Sequence, residues 1–402
     1  MDFEIVILGS DANAYYMARC THEQYKRKVK MISMQPMSFT NHSNIIDLTI
    51  DDKLWNPSTF SDALNKYVKN IEADKIICIS SNETYAKNLV INKKKLDKRV
   101  LFNYVDLDFL NSLMMKDLFY KKYKNSGLLP KTIVYNLNEK LNIDFNYPVI
   151  IKPSNVIMFN HIEFKGKKKI YKLKNIDEVN QTIDLFKKSK YTDSLIIQEY
   201  IPGDDSALHD AVVYCNSKGK CEFIAFAQIG LQEHTSKMVG NAACLINGFT
   251  TNGYDKNAVL KLKEFMEKIS FKGLAEIDLK YDYRDKKYKI LEINARQGRC
   301  SYYVTYAGYN LVKYIVDDLV YDKKHEFKIV DKKVALSYVP KRIIKKYVVN
   351  EKFKKEILKL YKKKKVVNPL IYKKDLPFKR ILFLIRKHFR YYKDYKKGYW
   401  KY

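Results

Sequence analysis

A chain of 402 residues that is 46% hydrophobic and 30% charged has enough apolar material for two or three domains with proper cores, which excludes a disordered or fibrous protein. No run approaches the roughly 20 apolar residues of a membrane-spanning helix. The net charge of +30 is uneven: residues 351–402 carry 19 Lys and Arg against four Asp and Glu, a surplus of 15 and half of the total, which favours an anionic partner for the tail. The charged start, MDFEIVILGSDANAYYMARC, continues into a helix pattern and does not read as a signal peptide. Six cysteines, at positions 20, 78, 215, 221, 244 and 300, show no CxxC pairing, so reduced and partly buried thiols are expected.

In chain order, EIVILG (4–9) is a short apolar strand ending in glycine. The next segment reads as a helix with Asp11 or Asn13 near its start. A strand at 29–34, IIDLTI at 45–50, a helix at 58–69 and the strand KIICIS at 75–80 complete a βαβ rhythm, consistent with a small parallel sheet. GSDANA lacks the three spaced glycines of a dinucleotide fingerprint. A small substrate at the carboxyl ends of the strands suits this opening better. Residues 101–130 are mostly helical, with Lys116 among other lysines and an exit at Pro130.

YPVIIKP (147–153) is more informative. A tight apolar strand delivers one lysine, Lys152, whose burial is costly unless its amine reaches water or an anion. The lysine-rich stretch 155–175 suggests a hairpin, and 177–188 a helix. LIIQEYIPG (195–203) is a strand running into a Pro-Gly break. Its Glu199, Tyr200 and Ile201 are placed to pair with an adenine edge, and Asp204 and Asp205 follow for ribose hydroxyls. Two strands around Lys218–Gly219 come next, then a poorly patterned stretch from Gly240 to Gly253, and a helix at 257–269.

Residues 274–299, LAEIDLKYDYRDKKYKILEINARQGR, form the centre of the reading. Two β-like runs, 274–279 and 289–293, flank a polar turn. Alternation sets Glu276 and Asp278 on one face of the first run, and Glu292 and Asn294 on one face of the second. Antiparallel pairing lets Asp278, Glu292 and Asn294 converge as a hard-oxygen set of the kind Mg²⁺ takes when it also holds phosphates. Arg296 and Arg299 follow, suited to phosphate or carboxylate. Taken alone, a solvated hairpin explains the same residues. Together, the strand lysine, the adenine-type linker and the carboxylate hairpin describe one arrangement, holding ATP between two sheets with Mg²⁺ at the phosphates.

These motifs resemble the ATP-grasp ligases, over residues 101–325. Lys116 matches the first nucleotide lysine and Lys152 in VIIKP the second. QEYIPG matches the hinge, with Glu199 near the adenine amine and Ile201 supplying backbone. Asp205 stands where the family has a ribose-binding Glu. Asp278, Glu292 and Asn294 match the metal-binding acid and the ExN element, and Arg296 matches the arginine of NxR. One departure is the phosphate-covering loop, which has no glycine before Gly166; Asn155, Asn160 and His161 are the substitute donors. GSDANAYYMARCTHE and NARQGRCSYYVTYAGYNLVKYIVDDL further resemble the D-aspartate ligase group of Gram-positive bacteria.

The resemblance implies an α/β fold, α+β in part: an ATP-grasp fold behind an N-terminal Rossmann-like preATP-grasp domain. The expected domains are a preATP-grasp unit at 1–100, a small lid subdomain at 101–190, a central subdomain at 191–325 and a basic, aromatic-rich extension at 326–402. It also implies a cytoplasmic, ATP- and Mg²⁺-dependent ligase. Through an acyl phosphate, such an enzyme joins the β-carboxyl of D-aspartate to the side-chain amine of lysine in a peptidoglycan precursor. Lys152 and Arg296 are the expected catalytic groups, and Arg299 and Ser301 the candidates for the acid, whose two anionic ends both need recognition. The tail, with Ile381, Phe383 and Leu384 among Arg and Lys, fits either an amphipathic helix on an anionic membrane or a helix packed on the protein with its lysines exposed. The rival readings are an ATP-grasp ligase for another amino acid or peptide, a non-catalytic nucleotide binder, and a basic nucleic-acid-binding module. The last leaves the ExN hairpin unexplained, and no specific nucleic acid is expected.

Overall fold

A computed structural model describes residues 2–233 and 240–398, with the backbone alone at 156–157. The chain forms two compact units: Met1–Leu107, Asp204–Ile277 and Asn294–Tyr402 make the first, and Asp108–Gly203 with Asp278–Ile293 the second.

The first unit opens with β1 (Phe3–Leu8), α1 (Ala12–Tyr25), β2 (Val29–Ser33), β3 (Ile46–Ile50), α2 (Pro57–Val68), β4 (Lys75–Ser80), α3 (Glu83–Asn92) and β5 (Val100–Leu101). The strands form a parallel sheet in the order β3-β2-β1-β4-β5. Strong local signals start its helices: Asp11 Oδ1 accepts from the amides of Asn13 and Ala14 at 2.9 Å, and Asn82 caps α3 through Tyr85 N at 3.1 Å. The sequence reading did not assign α3.

The second unit contains most of α4 (Leu107–Met114), then α5 (Lys116–Tyr123), β6 (Thr132–Tyr135), β7 (Val149–Pro153), α6 (Val156–His161), β8 (Tyr171–Leu173), α7 (Ile176–Lys187) and β9 (Leu195–Glu199). Its antiparallel sheet runs β6-β9-β7-β8, with Lys152 opposite Ile196 and Ile150 opposite Gln198. The hairpin expected over 155–175 is corrected. Asn155 Oδ1 caps Met158 N at 3.0 Å and starts the short helix α6, so only 171–173 pairs as a strand. Asn155 Nδ2 is spent on Asp193 Oδ2 at 2.7 Å.

The chain then builds β10 (Leu208–Cys215), β11 (Cys221–Gln232), β12 (Ala242–Asn247), α8 (Lys256–Lys268), β13 (Gly273–Asp282), β14 (Lys287–Asn294), α9 (Tyr302–Tyr306), α10 (Leu311–Leu319), β15 (Lys328–Val330), β16 (Val334–Ser337), α11 (Lys341–Tyr347), α12 (Glu351–Lys362), β17 (Val366–Val367) and α13 (Phe378–Gly398). In the first unit the strand order is β13-β10-β11-β12-β16-β17, with β15 beside β11. The poorly patterned stretch from Gly240 to Gly253 holds β12, whose AACLIN is buried on both faces and so lacks alternation. The six cysteines are free and buried. Among the described residues no helix is long and apolar enough to cross a membrane.

The tail packs within the first unit. Tyr391 and Tyr395 join the core that also holds Tyr15, Tyr16 and the large sheet. Arg380 is fully covered: Nη1 donates to Phe39 O at 2.6 Å, Nη2 to Leu370 O at 2.9 Å, and its guanidinium stacks 3.6 Å from the Tyr15 ring centroid. Asp375 beside it accepts from Tyr15 Oη at 2.8 Å, Ser43 Oγ at 2.7 Å and the Asn44 amide at 2.7 Å. Leu384 faces this core, while Phe378, Ile381, Leu382, Ile385 and Phe389 stay exposed along the opposite stripe. The final aromatics, Tyr399, Trp400 and Tyr402, lie outside the described residues.

Candidate active site

In the second unit, α5 begins at Lys116, which sends Nζ to Glu292 Oε2 on β14 at 2.6 Å. Burial works against the Lys116 ammonium, but Glu292 outweighs it with help from Asp278, and the amine is held above its usual range. Lys152 lies on β7 with its side chain turned to the same group. Its Nζ donates to Tyr120 Oη at 3.2 Å and Gln198 Oε1 at 3.3 Å, both neutral. Burial, then the Lys116 charge, pushes the Lys152 amine down to about 7. Two lysines and two carboxylates are therefore drawn together from α5, β7, β13 and β14. Tyr120 fixes the arrangement by donating to Leu291 O at 2.8 Å.

At the end of β9, Glu199 is committed within the unit: Oε1 accepts from the Lys131 amide at 2.8 Å and Oε2 from Arg284 Nη2 at 2.9 Å. The Tyr200 ring lies under Lys172, whose Nζ is 3.8 Å from its centroid, and Ile201 is buried. Asp278 and Glu292 are half-buried on neighbouring strands. Among the described residues no three His, Cys, Asp or Glu gather as a metal cluster. The carboxylate pair still fits a hard cation that takes its other ligands from phosphate and water, since a cation, the Lys116 ammonium, already sits on Glu292.

The remaining candidates belong to the first unit. Both oxygens of buried Asp205 are held by Gln232, Oδ2 by its amide at 2.9 Å and Oδ1 by its side chain at 2.5 Å. Asn294 lies 3.5 Å from Glu276 Oε2 through Nδ2. Arg296 is clamped by Glu83 Oε1 at 2.5 Å and Glu276 Oε2 at 3.3 Å. Burial pushes the Glu276 carboxyl up against the pull of Arg296. The turn after β14 is tight: Ser301 Oγ accepts from the Gly298 amide at 2.8 Å, and Tyr16 Oη donates to Gly298 O at 2.5 Å. Arg299 pairs with Glu233 Oε1 at 2.7 Å and stacks 4.4 Å from the Tyr338 centroid. Ser301 thus shapes the loop that carries the two arginines.

Sequence reasoning did not assign Glu276, Glu83, Glu233, Tyr120 or Gln198. Glu276 carried a signal, because it shares a strand face with Asp278. Glu83 and Glu233 carried none, being more than 60 residues from the arginines they bind.

No family model matches the chain. It is 28% identical over 332 residues to the D-aspartate ligase of Enterococcus faecium, covering 80% of this chain and 78% of that protein. Its fold is similar to that of an L-amino acid ligase from Bacillus licheniformis, with a TM-score of 0.54, 13% identity and 79% and 74% of the two chains covered. It is also similar to N5-carboxyaminoimidazole synthetase from Staphylococcus aureus in complex with ADP, with a TM-score of 0.57, 15% identity and 83% and 81% covered. At these identities the solved structures show the fold, which is ATP-grasp behind a Rossmann-like N-terminal domain.

Proposed function

We propose that this chain, an ATP-dependent carboxylate–amine ligase of the ATP-grasp type similar to D-aspartate ligase, joins the β-carboxyl of D-aspartate to the side-chain amine of a lysine in a peptidoglycan precursor. The observation that carries the nucleotide half of this reading is Lys152. Its buried amine has two neutral partners and a second lysine nearby, so a polyphosphate would offset the local positive charge. The acid and the acceptor come from the relative's name and from what the sequence resembles.

In this reading the β-carboxylate oxygen attacks the γ-phosphorus of ATP, releasing ADP and leaving an acyl phosphate. The amine nitrogen then attacks the acyl carbon, phosphate departs with the C–O bonding pair, and the nitrogen loses a proton. Lys116 and Lys152 neutralise the phosphates, and Glu199, Tyr200 and Ile201 hold the adenine; Asp205, buried with both oxygens on Gln232, reaches the ribose only by releasing that residue. Arg296 stabilises charge on the transferring group. Asp278, Glu292 and Asn294 would hold Mg²⁺, which supplies charge neutralisation at phosphate oxygens. Arg299 and Ser301 serve the acid, Ser301 by fixing the loop.

The test is an ADP-release screen across D- and L-amino acids with a lysine-containing muramyl peptide as acceptor. Release that needs both D-aspartate and the peptide supports the reading. Release with a different acid favours another ATP-grasp ligase. Nucleotide binding without turnover favours a non-catalytic relative.

Lys152 adds a pH signature. Its amine is neutral above about pH 7 in the free protein, and bound polyphosphate favours the ammonium, so ATP binding takes up a proton above that pH. Affinity is expected to be flat below pH 7 and to fall up to about tenfold per unit above it. Lys116, Glu292 and Tyr120 are the ionisable groups around it. Calorimetry in buffers of different ionisation enthalpy should give about one proton taken up at pH 8 and almost none at pH 6. Equal uptake at both removes Lys152 from the phosphate site.

For the tail we propose peripheral contact with an anionic membrane, at the inner face if the enzyme is cytoplasmic. The supporting observation is the outer stripe of α13, where Phe378 (73% exposed), Ile381, Leu382, Ile385 and Phe389 (66%) lie among Lys379, Arg386 and Arg390. The double substitution Phe378→Ser, Phe389→Ser should abolish co-sedimentation with phosphatidylglycerol vesicles at low salt and leave the fold intact. Absence of wild-type binding, or a dimer in light scattering that the double variant dissolves, refutes it.

A further inference from the structure

The inward stripe of α13 carries Arg380, Leu384, Lys387, Tyr391 and Tyr395, at the three- and four-residue spacing of one helix face. A lysine in the middle of such a stripe is out of place unless its amine meets an anion. Lys387 Nζ lies 4.9 Å from the Tyr391 ring centroid and 5.2 Å from that of Phe39. The Tyr391 hydroxyl points to Glu233 Oε1 at 3.4 Å, the same oxygen that receives Arg299 Nη2 at 2.7 Å. Lys387 on its ring and Arg299 through Glu233 therefore flank the same tyrosine. Further along the helix, Arg390 and Asp394 oppose each other in their effect on Lys387.

Arg299 and the Tyr391 hydroxyl thus share one carboxylate, and the half-buried Lys387 lies over the ring of the same tyrosine. Nη1 of Arg299 is buried with no hydrogen-bond partner among the described residues. Burial and Arg299 push the Lys387 amine down to about 8, as happens to an ammonium short of anion. Tyr338 keeps the arginine in place, donating to Arg299 O at 2.6 Å and lying under its guanidinium. The same short loop carries Arg296 and follows Asn294 directly, so an anion seated here would be close in the chain to the groups assigned to the reacting end.

We propose that Arg299 and Lys387 form a two-cation seat for the carboxylate of the acid substrate that is not activated. The C-terminal helix then supplies a residue that selects dicarboxylic amino acids. This rests on the ligase reading above and deepens it. A monocarboxylic amino acid must spend its one carboxylate at the phosphate and leaves the seat empty, whereas an acidic amino acid fills both places.

The experiment compares wild type, Lys387→Gln and Lys387→Arg as full-length proteins, with thermal melts to show that they fold. The Gln variant should raise KM for the acidic amino acid about 10- to 100-fold, with KM for ATP within about twofold, and Arg should restore most of the loss. An unchanged KM for the acid, an equal rise in both KM values, or a wild type that accepts only monocarboxylic amino acids overturns the seat. If no amino acid drives ADP release the ligase reading itself fails. Calorimetry with D- and L-aspartate and a non-hydrolysable ATP analogue still decides the seat: binding weakened in Lys387→Gln upholds it, and absence of binding to wild type refutes it.

Discussion

Glu292→Gln is expected to lower Mg²⁺-dependent ADP release about 100- to 1000-fold, the loss typical of removing one group that neutralises developing charge. Glu292 has two tasks in this account. It is the counter-ion of Lys116, at 2.6 Å, and one of the two carboxylates that would hold the cation. Glutamine keeps the shape and removes the charge. The cost to stability should be modest, about 1–2 kcal/mol: solvent screens the glutamate, whose side chain is 42% exposed, but the Lys116 side chain is only 17% exposed and loses its counter-ion. A coupled ADP assay over a Mg²⁺ titration, beside a thermal melt, separates the two effects. Wild-type turnover in a folded Glu292→Gln protein would remove the metal assignment.

Gly298→Ala should be nearly as damaging by a different route. A Cβ at this position falls 1.5 Å from Glu276 Oε1 and 1.6 Å from its Cδ. The end of a glutamate side chain usually swings away at little cost, but this one is buried and held by Arg296 at 3.3 Å, with Asn294 Nδ2 at 3.5 Å. Accommodating the methyl group means breaking that clamp or moving the loop pinned by Tyr16 and Ser301. Overpacking of this kind costs roughly 1–3 kcal/mol, a fall of several degrees in Tm. The larger expected effect is on kcat, about 100-fold, because Arg296 and Asn294 both lose their setting. Adding Glu276→Asp, which shortens the side chain by one methylene, should recover part of the loss. A fully active Gly298→Ala enzyme would show that the loop tolerates rearrangement.

What the sequence made legible follows a physical rule. Lys152 stands out because one charge interrupts an apolar run, and β7 delivers it to the interior as that pattern requires. The helix starts at Asp11 and Asn155 are local chemistry, decided within three residues, and at Asn155 the cap outweighs the lysine-rich hairpin pattern around it. β12 escaped because a strand buried on both faces does not alternate. The partners of the loop arginines escaped for a stronger reason. Glu83 and Glu233 meet Arg296 and Arg299 only after the chain has folded back on itself, and no spacing rule links them. The resemblance supplied roles for the arginines, but not the carboxylates already bound to them. The tail was open between two readings because α13 has two apolar faces, one against the core and one outward, and composition alone cannot order them.

The clasp of Arg380 and Asp375 on Tyr15, Ser43 and the Phe39 carbonyl means that the last helix is no appendage. Its anchor points lie more than 330 residues earlier in the chain, in the opening α/β segment. Cutting the chain before residue 375 would expose Tyr15 and strand the Ser43 hydroxyl, so a shortened protein would report on a damaged opening segment as much as on a missing tail. The same holds for exchange between relatives. A transplanted C-terminus would have to travel with matching residues at positions 15, 39 and 43, and the two ends of this protein must therefore change together or not at all.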